Sequence, residues 1–356
     1  MESASNSAAD PVALLDRYER LKQSESGVRA RDAAEKLGVS EAELVAARCG
    51  GDVVRLDGRW SELLEALPAL GRVMVLTRND FAVHEKVGAF EGVSVSEIGA
   101  LVLGTDIDLR VRWSAWGSGY AVTDQGPSGV RRSMQFFGPS GTAVFKVHVR
   151  EETDAAAYDS LVARHAAADQ QPGQSVEPAT TTAPARPDSE IDVDALRARW
   201  RSLQDVHDFA MMLRDLDVER VQACRLVGPE FAEAVPVSSF VETLQQVASA
   251  EIPIMVFVPS PGVVQIHTGP VANLKRVGPW FNVLDPGFNL HLRDEGIASA
   301  WVLRKPTREG VISSLEIFDS KDSQIAWMFG QRDRGAPERE EWRALLASLI
   351  REAGTA

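Results

Sequence analysis

Hydrophobic and polar positions along the chain follow two periodicities that recur in the same order twice. Apolar residues at helical spacing mark Pro11 to Lys22 and Ala42 to Arg48 near the start, and Val193 to Trp200 and Phe209 to Leu216 past the midpoint. Ser40, with Glu43 three residues on, forms a capping box that predicts the start of the helix running to Arg48. Strict alternation rich in Val and Ile then predicts strands over Val73–Thr77, Asp106–Trp113, Arg131–Phe137 and Ala143–Val149. Gly138-Pro139-Ser140-Gly141 predicts the hairpin turn between the last two. A closing helix is predicted over Ala155–Ala166 and again over Pro337–Arg351. Helices, then an antiparallel meander, then a helix is an α+β order and not alternating βαβ.

The two passes match residue by residue at an offset of 181. Val73-Met74-Val75 meets Ile254-Met255-Val256, and Gly88 meets Gly269. Ile107, Leu109 and Val111 meet Phe288, Leu290 and Leu292, while Met134, Phe137 and Val144 meet Leu315, Phe318 and Ile325. An ungapped register held from the first of these pairs to the last points to a domain-scale duplication. Near the helices the register shifts to 179, with Val39 against Val218 and Val28 against His207. Between the halves, the stretch from Asp169 to Asp188 is rich in Pro, Thr, Ala and Gln and reads as a flexible linker. The expected division is residues 1–166, a linker over 167–190, and residues 191–356.

A length of 356 residues agrees with two domains at about 150 residues each. The net charge of −13 argues against a protein that coats nucleic acid or an anionic membrane, yet leaves room for a local basic pocket. Cys49 and Cys224 are isolated, with no zinc spacing and no disulfide framework, which suits a reducing compartment. No apolar run approaches the length of a membrane span and no signal-peptide pattern opens the chain, so a cytoplasmic location is expected.

Nucleotide, protease and zinc-protease motifs do not occur, and Gly117-Ser118-Gly119 opens no predicted helix. Arg31 through Leu44 resembles a helix-turn-helix with Gly38 at the turn, but its second helix carries Glu41 and Glu43 where base-reading side chains are needed. A structural helical pair is the better reading. The six histidines form no helical metal-ligand pair, although a lone histidine can hold iron when a macrocycle supplies the other donors. His207, in Leu203-Gln204-Asp205-Val206-His207-Asp208-Phe209, is such a residue; capping or packing is the alternative that the residues alone leave open. In Asp106–Trp113, Ile107, Leu109, Val111 and Trp113 point one way and Asp108, Arg110 and Arg112 the other. That second face is either solvated or lines a cleft for a carboxylate-bearing ligand.

Longer stretches carry a family resemblance. Leu76 through Gly88 (LTRNDFAVHEKVG), Val264 through Val271 (VQIHTGPV), Gly278 through Pro286 (GPWFNVLDP), Ala298 through Thr307 (ASAWVLRKPT) and Phe329-Gly330-Gln331-Arg332 resemble the HemS-like family of hemin-degrading and hemin-trafficking factors. The resemblance implies one haem bound between the halves, with His207 as proximal iron ligand and Arg110 on the distal side, catalytic if haem is degraded. Arg220, Lys305 and Arg332 would serve the propionates and pocket rim. Trp327 and Phe329 stand where relatives often carry Gln and Tyr, and Arg112 where Phe is common. These changes remove hydrogen-bonding groups and offer rings to cover the porphyrin face. His84 is a candidate for a second haem site, with a structural role as the alternative. The implied activity is haem utilisation: delivery to a partner such as a haem importer, haem oxygenase or reductase, or reductant-dependent degradation that frees iron. A duplicated interaction module that no longer takes haem is the competing reading.

Overall fold

The computed structural model describes residues 10–25, 27–126, 129–179, 184–333 and 335–353. The chain divides into two compact units: residues 1–78, 85–181 and 260–265 form the first, and residues 79–84, 182–259 and 266–356 the second. The division departs from a simple cut at the linker, because two strands, Ala82–Gly88 and Val263–Gly269, each contribute to both units.

In chain order the first half carries helices α1 (Pro11–Ser24), α2 (Ala30–Leu37) and α3 (Glu41–Ala46), strand β1 (Val53–Arg55) and helix α4 (Trp60–Ala66). Strands β2 (Gly71–Arg78), β3 (Ala82–Gly88), β4 (Val93–Val95), β5 (Gly99–Leu103), β6 (Asp108–Arg112), β7 (Ser118–Gly126), β8 (Gly129–Phe137) and β9 (Ala143–Thr153) follow, then helix α5 (Ala155–His165). The second half repeats the plan with α6 (Val193–Arg201), α7 (Asp208–Asp215), α8 (Arg220–Val227), β10 (Ala232–Val235) and α9 (Ser239–Ser249). It continues through β11 (Ile254–Pro259), β12 (Val263–Gly269), β13 (Leu274–Val277), β14 (Trp280–Asp285) and β15 (Phe288–Leu292). Strands β16 (Ser299–Thr307), β17 (Gly310–Phe318) and β18 (Gln324–Gly330) lead to α10 (Glu340–Ala353).

Within the first unit the antiparallel order is β1-β7-β8-β9-β2, with a three-stranded meander β4-β5-β6. Within the second it is β10-β16-β17-β18-β11, with β13-β14-β15. The expected α+β duplication is therefore the architecture. Its core follows the register: Val73 and Ile254, Leu109 and Leu290, Met134 and Leu315, and Val144 and Ile325 are all buried. Alternation explains this, since every second residue of each strand enters the same core.

Local chemistry fixes the junctions. The Ser40–Glu43 box closes in both directions, with Glu43 N–H on Ser40 Oγ at 3.2 Å and Ser40 N–H on Glu43 Oε2 at 2.8 Å. Gly141 adopts φ +77° in the β8–β9 turn, where an added Cβ would come within 2.2 Å of Ser40 Oγ, so glycine is required on two counts. The helix-turn-helix-like pair is α2–Gly38–α3, yet Glu41, Ala42, Leu44, Val45 and Ala46 of the second helix are buried. A six-residue helix with those residues enclosed cannot enter a DNA groove.

Three expectations shift. The last helix starts at Glu340 and not at Pro337, because Glu338 is held against the backbone N–H and hydroxyl of Ser313 before the helix begins. The strand through Trp113 ends at Arg112; Trp113 turns away and donates its indole N–H to Ser96 O at 3.0 Å. The stretch expected as a free linker is laid against the first unit over 167–179: the guanidinium of Arg55 bonds Gln171 O, Gly173 O and Gln174 Oε1, and Glu177 N–H reaches Pro139 O. Residues 180–183 of that linker lie outside the described residues.

Candidate functional site

The second unit gathers most of the expected residues on one face of its larger sheet. Pairing of Trp301 with Glu316, Glu316 with Trp327, and Phe257 with Trp327 puts these side chains on a common face. The opposite face holds Val302, Leu315, Ile317 and Met328 in the core beneath α9 and α10. Helices α6, α7 and α8 cover part of the first face. Trp200 anchors them: it is fully buried, lies 4.5 Å from Phe209 ring to ring, and donates its indole N–H to Arg304 O at 2.8 Å.

His207 sits immediately before α7, where the chain has just left the Trp200 anchor. Its side chain is 78% exposed, and its Nδ1 lies 2.6 Å from Asp205 Oδ1. The same carboxylate oxygen accepts His207's backbone N–H at 2.9 Å. A carboxylate only accepts, so Nδ1 carries a proton, and in the neutral ring Nε2 is the nitrogen that keeps its lone pair. Nε2 has no protein partner among the described residues. Asp205's carboxyl is held below its usual range, first by His207's backbone N–H, with the charge of Arg332 contributing. Arg332 thus stands within electrostatic reach of Asp205.

Behind the imidazole loop lies a buried charge cluster. Glu316 is fully buried and receives Arg220 in a two-pronged contact, Nε at 2.6 Å and Nη2 at 2.9 Å. Lys305 Nζ, 2% exposed, reaches Glu316 Oε1 at 2.8 Å and Ser314 Oγ at 2.9 Å. Ser314 Oγ and Gln324 Nε2 complete the carboxylate's bonds at 2.7 and 3.0 Å. Burial alone would raise the Glu316 pKa; Arg220 and Lys305 outweigh it and hold the carboxyl well below the usual carboxylate range. Burial lowers that of Lys305. Both cations also lie over the Phe209 ring, Arg220 at 4.9 Å and Lys305 at 4.8 Å, and Lys305 lies 5.3 Å from the Phe329 ring.

Beside the cluster, half-buried aromatic side chains form a ledge. Phe257 stacks on Trp327 at 5.1 Å with 16° between planes, and Phe329 meets Phe257 edge-on at 5.5 Å. A ligand for this unit would therefore meet an imidazole nitrogen, a planar apolar surface and a cationic edge. That donor set fits an iron porphyrin bearing carboxylates, which supplies four nitrogens of its own and needs one axial imidazole.

The expected residues divide as follows. His207, Arg220, Lys305, Trp327, Phe329 and Arg332 all belong to the second unit. Arg110 belongs to the first, where β6 presents it beside Asp108 on the same strand face; it bonds Asp108's carboxylate and Leu109 O. It lies opposite the 43%-exposed Leu101 in the β5–β6 register. Arg112 is tied to Pro261 O at 2.9 Å. His84 is fully buried on β3 with its ring 5.0 Å from Phe288, a packing environment and not an open ligand position. Sequence reasoning missed Glu316, Ser314, Phe257 and Phe209. The signal existed for two of them: a hairpin turn at Arg308-Glu309 with alternation puts Lys305, Ser314 and Glu316 on one face.

Comparison with known proteins identifies the family. Residues 38–165 and 217–349 each match the family model of the haemin-degrading HemS.ChuX domain. The hemin transport protein HmuS of Yersinia pestis is 37% identical over 340 residues, covering 95% of this chain and 98% of the relative. The crystal structure of holo-PhuS, a heme-binding protein from Pseudomonas aeruginosa, superposes with a TM-score of 0.93 at 42% identity, over 96% of this chain and 99% of that one. ChuS, an E. coli heme oxygenase, gives 0.85 at 36% identity, over 95% and 99%. With the domain matched twice and such relatives spanning almost its whole length, the chain belongs to the haemin-degrading HemS/ChuX family.

Proposed function

We propose that this protein binds haem through His207 in the cytoplasm and serves haem utilisation, passing haem to a partner protein and, given a reductant, degrading it to release iron. The observation that carries the reading is the His207–Asp205 pair, an imidazole whose proton is fixed on Nδ1 and whose Nε2 is left to a ligand, beside a stacked aromatic ledge and a cationic cluster. Relatives named for hemin transport, heme binding and heme oxygenase activity support the same substrate. Among the described residues no helix is long and apolar enough to cross a membrane.

The roles follow from chemistry. His207 would hold the iron through its imidazole, and Asp205 would fix the ring in the required tautomer. Phe257, Trp327 and Phe329 would cover the porphyrin face and exclude water. Arg220 would meet a carboxylate at the cluster's exposed edge, with Lys305 held behind it on Glu316 and Arg332 at the pocket rim. The family resemblance gives Arg110 the distal role, in which its guanidinium would supply a fixed cation. Bound haem would supply the redox chemistry, and a haem importer, haem oxygenase or reductase is the class of partner expected.

A hemin titration followed by absorbance tests this on the wild type and His207→Ala. A saturable one-to-one Soret shift in the wild type, lost or altered in spin state in the variant, is expected. An unchanged spectrum in His207→Ala would overturn His207 as the ligand. Ascorbate added to the loaded protein should bleach the Soret band only where the distal side is intact, so Arg110→Ala should slow bleaching.

A further inference from the structure

The buried cluster behind His207 carries more positive than negative charge. Arg220 and Lys305 contribute two positive charges and Glu316 one negative, and the remaining partners, Ser314 and Gln324, are neutral. Cys224, close by in α8, is held as a neutral thiol, its pKa pushed up to about 12 mainly by burial. The next cation along the strand, Arg304, is satisfied elsewhere by Glu233 and Pro229 O. A net charge of +1 is therefore gathered where Lys305 is 2% and Glu316 0% exposed, with the Phe209 and Phe329 ring faces against it. Uncompensated charge in a poorly solvated site costs several kcal/mol unless a counter-charge arrives. Arg220 is the outlet: its side chain is 24% exposed, so one edge of the cluster is open to a ligand while Lys305 is not.

On the haem reading above, we infer that Glu316 sets the carboxylate count of the site, cancelling one of its two cations so that it accepts a single ligand carboxylate. Arg220 takes the incoming group on its exposed edge. Lys305 stays on Glu316 and acts at one remove, holding the carboxylate against Arg220. Glu316 is thus a positioning and specificity residue that need not touch the ligand. A ligand with one free carboxylate satisfies the cluster as well as one with two.

The test uses the full-length protein and three ligands: iron protoporphyrin IX, its monomethyl ester and its dimethyl ester, each titrated by Soret absorbance. The porphyrin can turn over to offer either propionate, so the monoester should bind within about 3-fold of hemin, while the diester falls by about 10–100-fold. Glu316→Gln exposes the second cation, and the diester penalty should then grow by a further factor of about 10. A loss shared equally between the first and second esterification overturns the proposal, and so does a diester penalty that Glu316→Gln leaves unchanged. If Glu316→Gln does not fold, the wild-type ester series decides alone. Absence of a saturable shift with all three ligands would instead overturn haem binding itself, and this proposal with it.

Discussion

Replacing Lys305 with methionine should leave the protein about as stable as the wild type, although it deletes a fully enclosed ion-pair partner. Five donors reach the Glu316 carboxylate: Arg220 Nε at 2.6 Å and Nη2 at 2.9 Å, Lys305 at 2.8 Å, Ser314 at 2.7 Å and Gln324 at 3.0 Å. A carboxylate offers about four acceptor sites. Without Lys305 four donors remain, Arg220 and Glu316 form a neutral pair, and methionine fills the space between the Phe209 and Phe329 rings. The lost charge-assisted bonds are worth about 1.5–3 kcal/mol, and the relieved desolvation of a buried ammonium is several kcal/mol. The two nearly cancel, so the net change is expected within about 1 kcal/mol of zero. Glu316→Leu is the opposite case: it leaves two enclosed cations with no counter-charge and should cost about 3–5 kcal/mol. Urea unfolding at pH 7, with the slope checked for constancy, measures both. A Lys305→Met penalty above about 3 kcal/mol, or a Glu316→Leu penalty below about 1 kcal/mol, would refute the charge count.

Other expectations follow from single residues. His148 has its pKa lowered from 6.5 to about 4, first by burial and then by Lys146 and Arg131. The unfolded chain therefore binds the proton more readily, and stability is complete above pH 6.5 and lost as the pH falls toward 4. At pH 5 the loss from this group, discounted for its partial exposure, is about 1–2 kcal/mol; His148→Phe should flatten that part of a midpoint-against-pH curve. Asp205→Ala should weaken hemin binding by about 10-fold without moving the urea midpoint, since both members of the pair are largely exposed. Ser40→Ala removes one bond of the capping box and should lower stability by about 1 kcal/mol in a thermal melt.

Much of the fold was legible because a strand buried on one face writes its register into the sequence. Val75 and Val256, Val111 and Leu292, and Phe137 and Phe318 are buried partners at the same offset, and alternation alone finds them. The capping box was equally legible, being a local bond. Helices α4 and α9 were not anticipated, because short amphipathic segments derive their stability from packing and not from propensity. For Glu316 the shared strand face with Lys305 was legible but the burial was not. A glutamate between Leu315 and Ile317 on an alternating strand is by default solvent-facing, and only the arrival of Arg220 from α8 turns that position into an interior. His207 could be singled out through family resemblance, whereas its Asp205 partner and the surrounding rings needed coordinates.

The duplication also shows how one fold came to hold two different interiors. At the helical offset of 179, Arg220 of the second unit corresponds to Glu41 of the first, a reversal of charge at one place in the fold. Glu41 is itself buried and paired with Arg78 and Lys146, so each unit encloses two cations around one carboxylate. In the first unit the helix supplies the carboxylate and the sheet both cations; in the second the sheet supplies the carboxylate and the helix one cation. The consequence falls on the sheet face. Lys146 and His148 of the first unit stand where the second has Trp327 and Phe329, and Leu76 where it has Phe257. By moving a cation onto the helix, the second unit frees those strand positions for flat aromatic rings. Val28 opposite His207 completes the contrast. The helix-to-sheet anchor that both units need for folding is compatible with a planar ligand surface in only one of these two arrangements, and that unit is the one whose loop carries the imidazole.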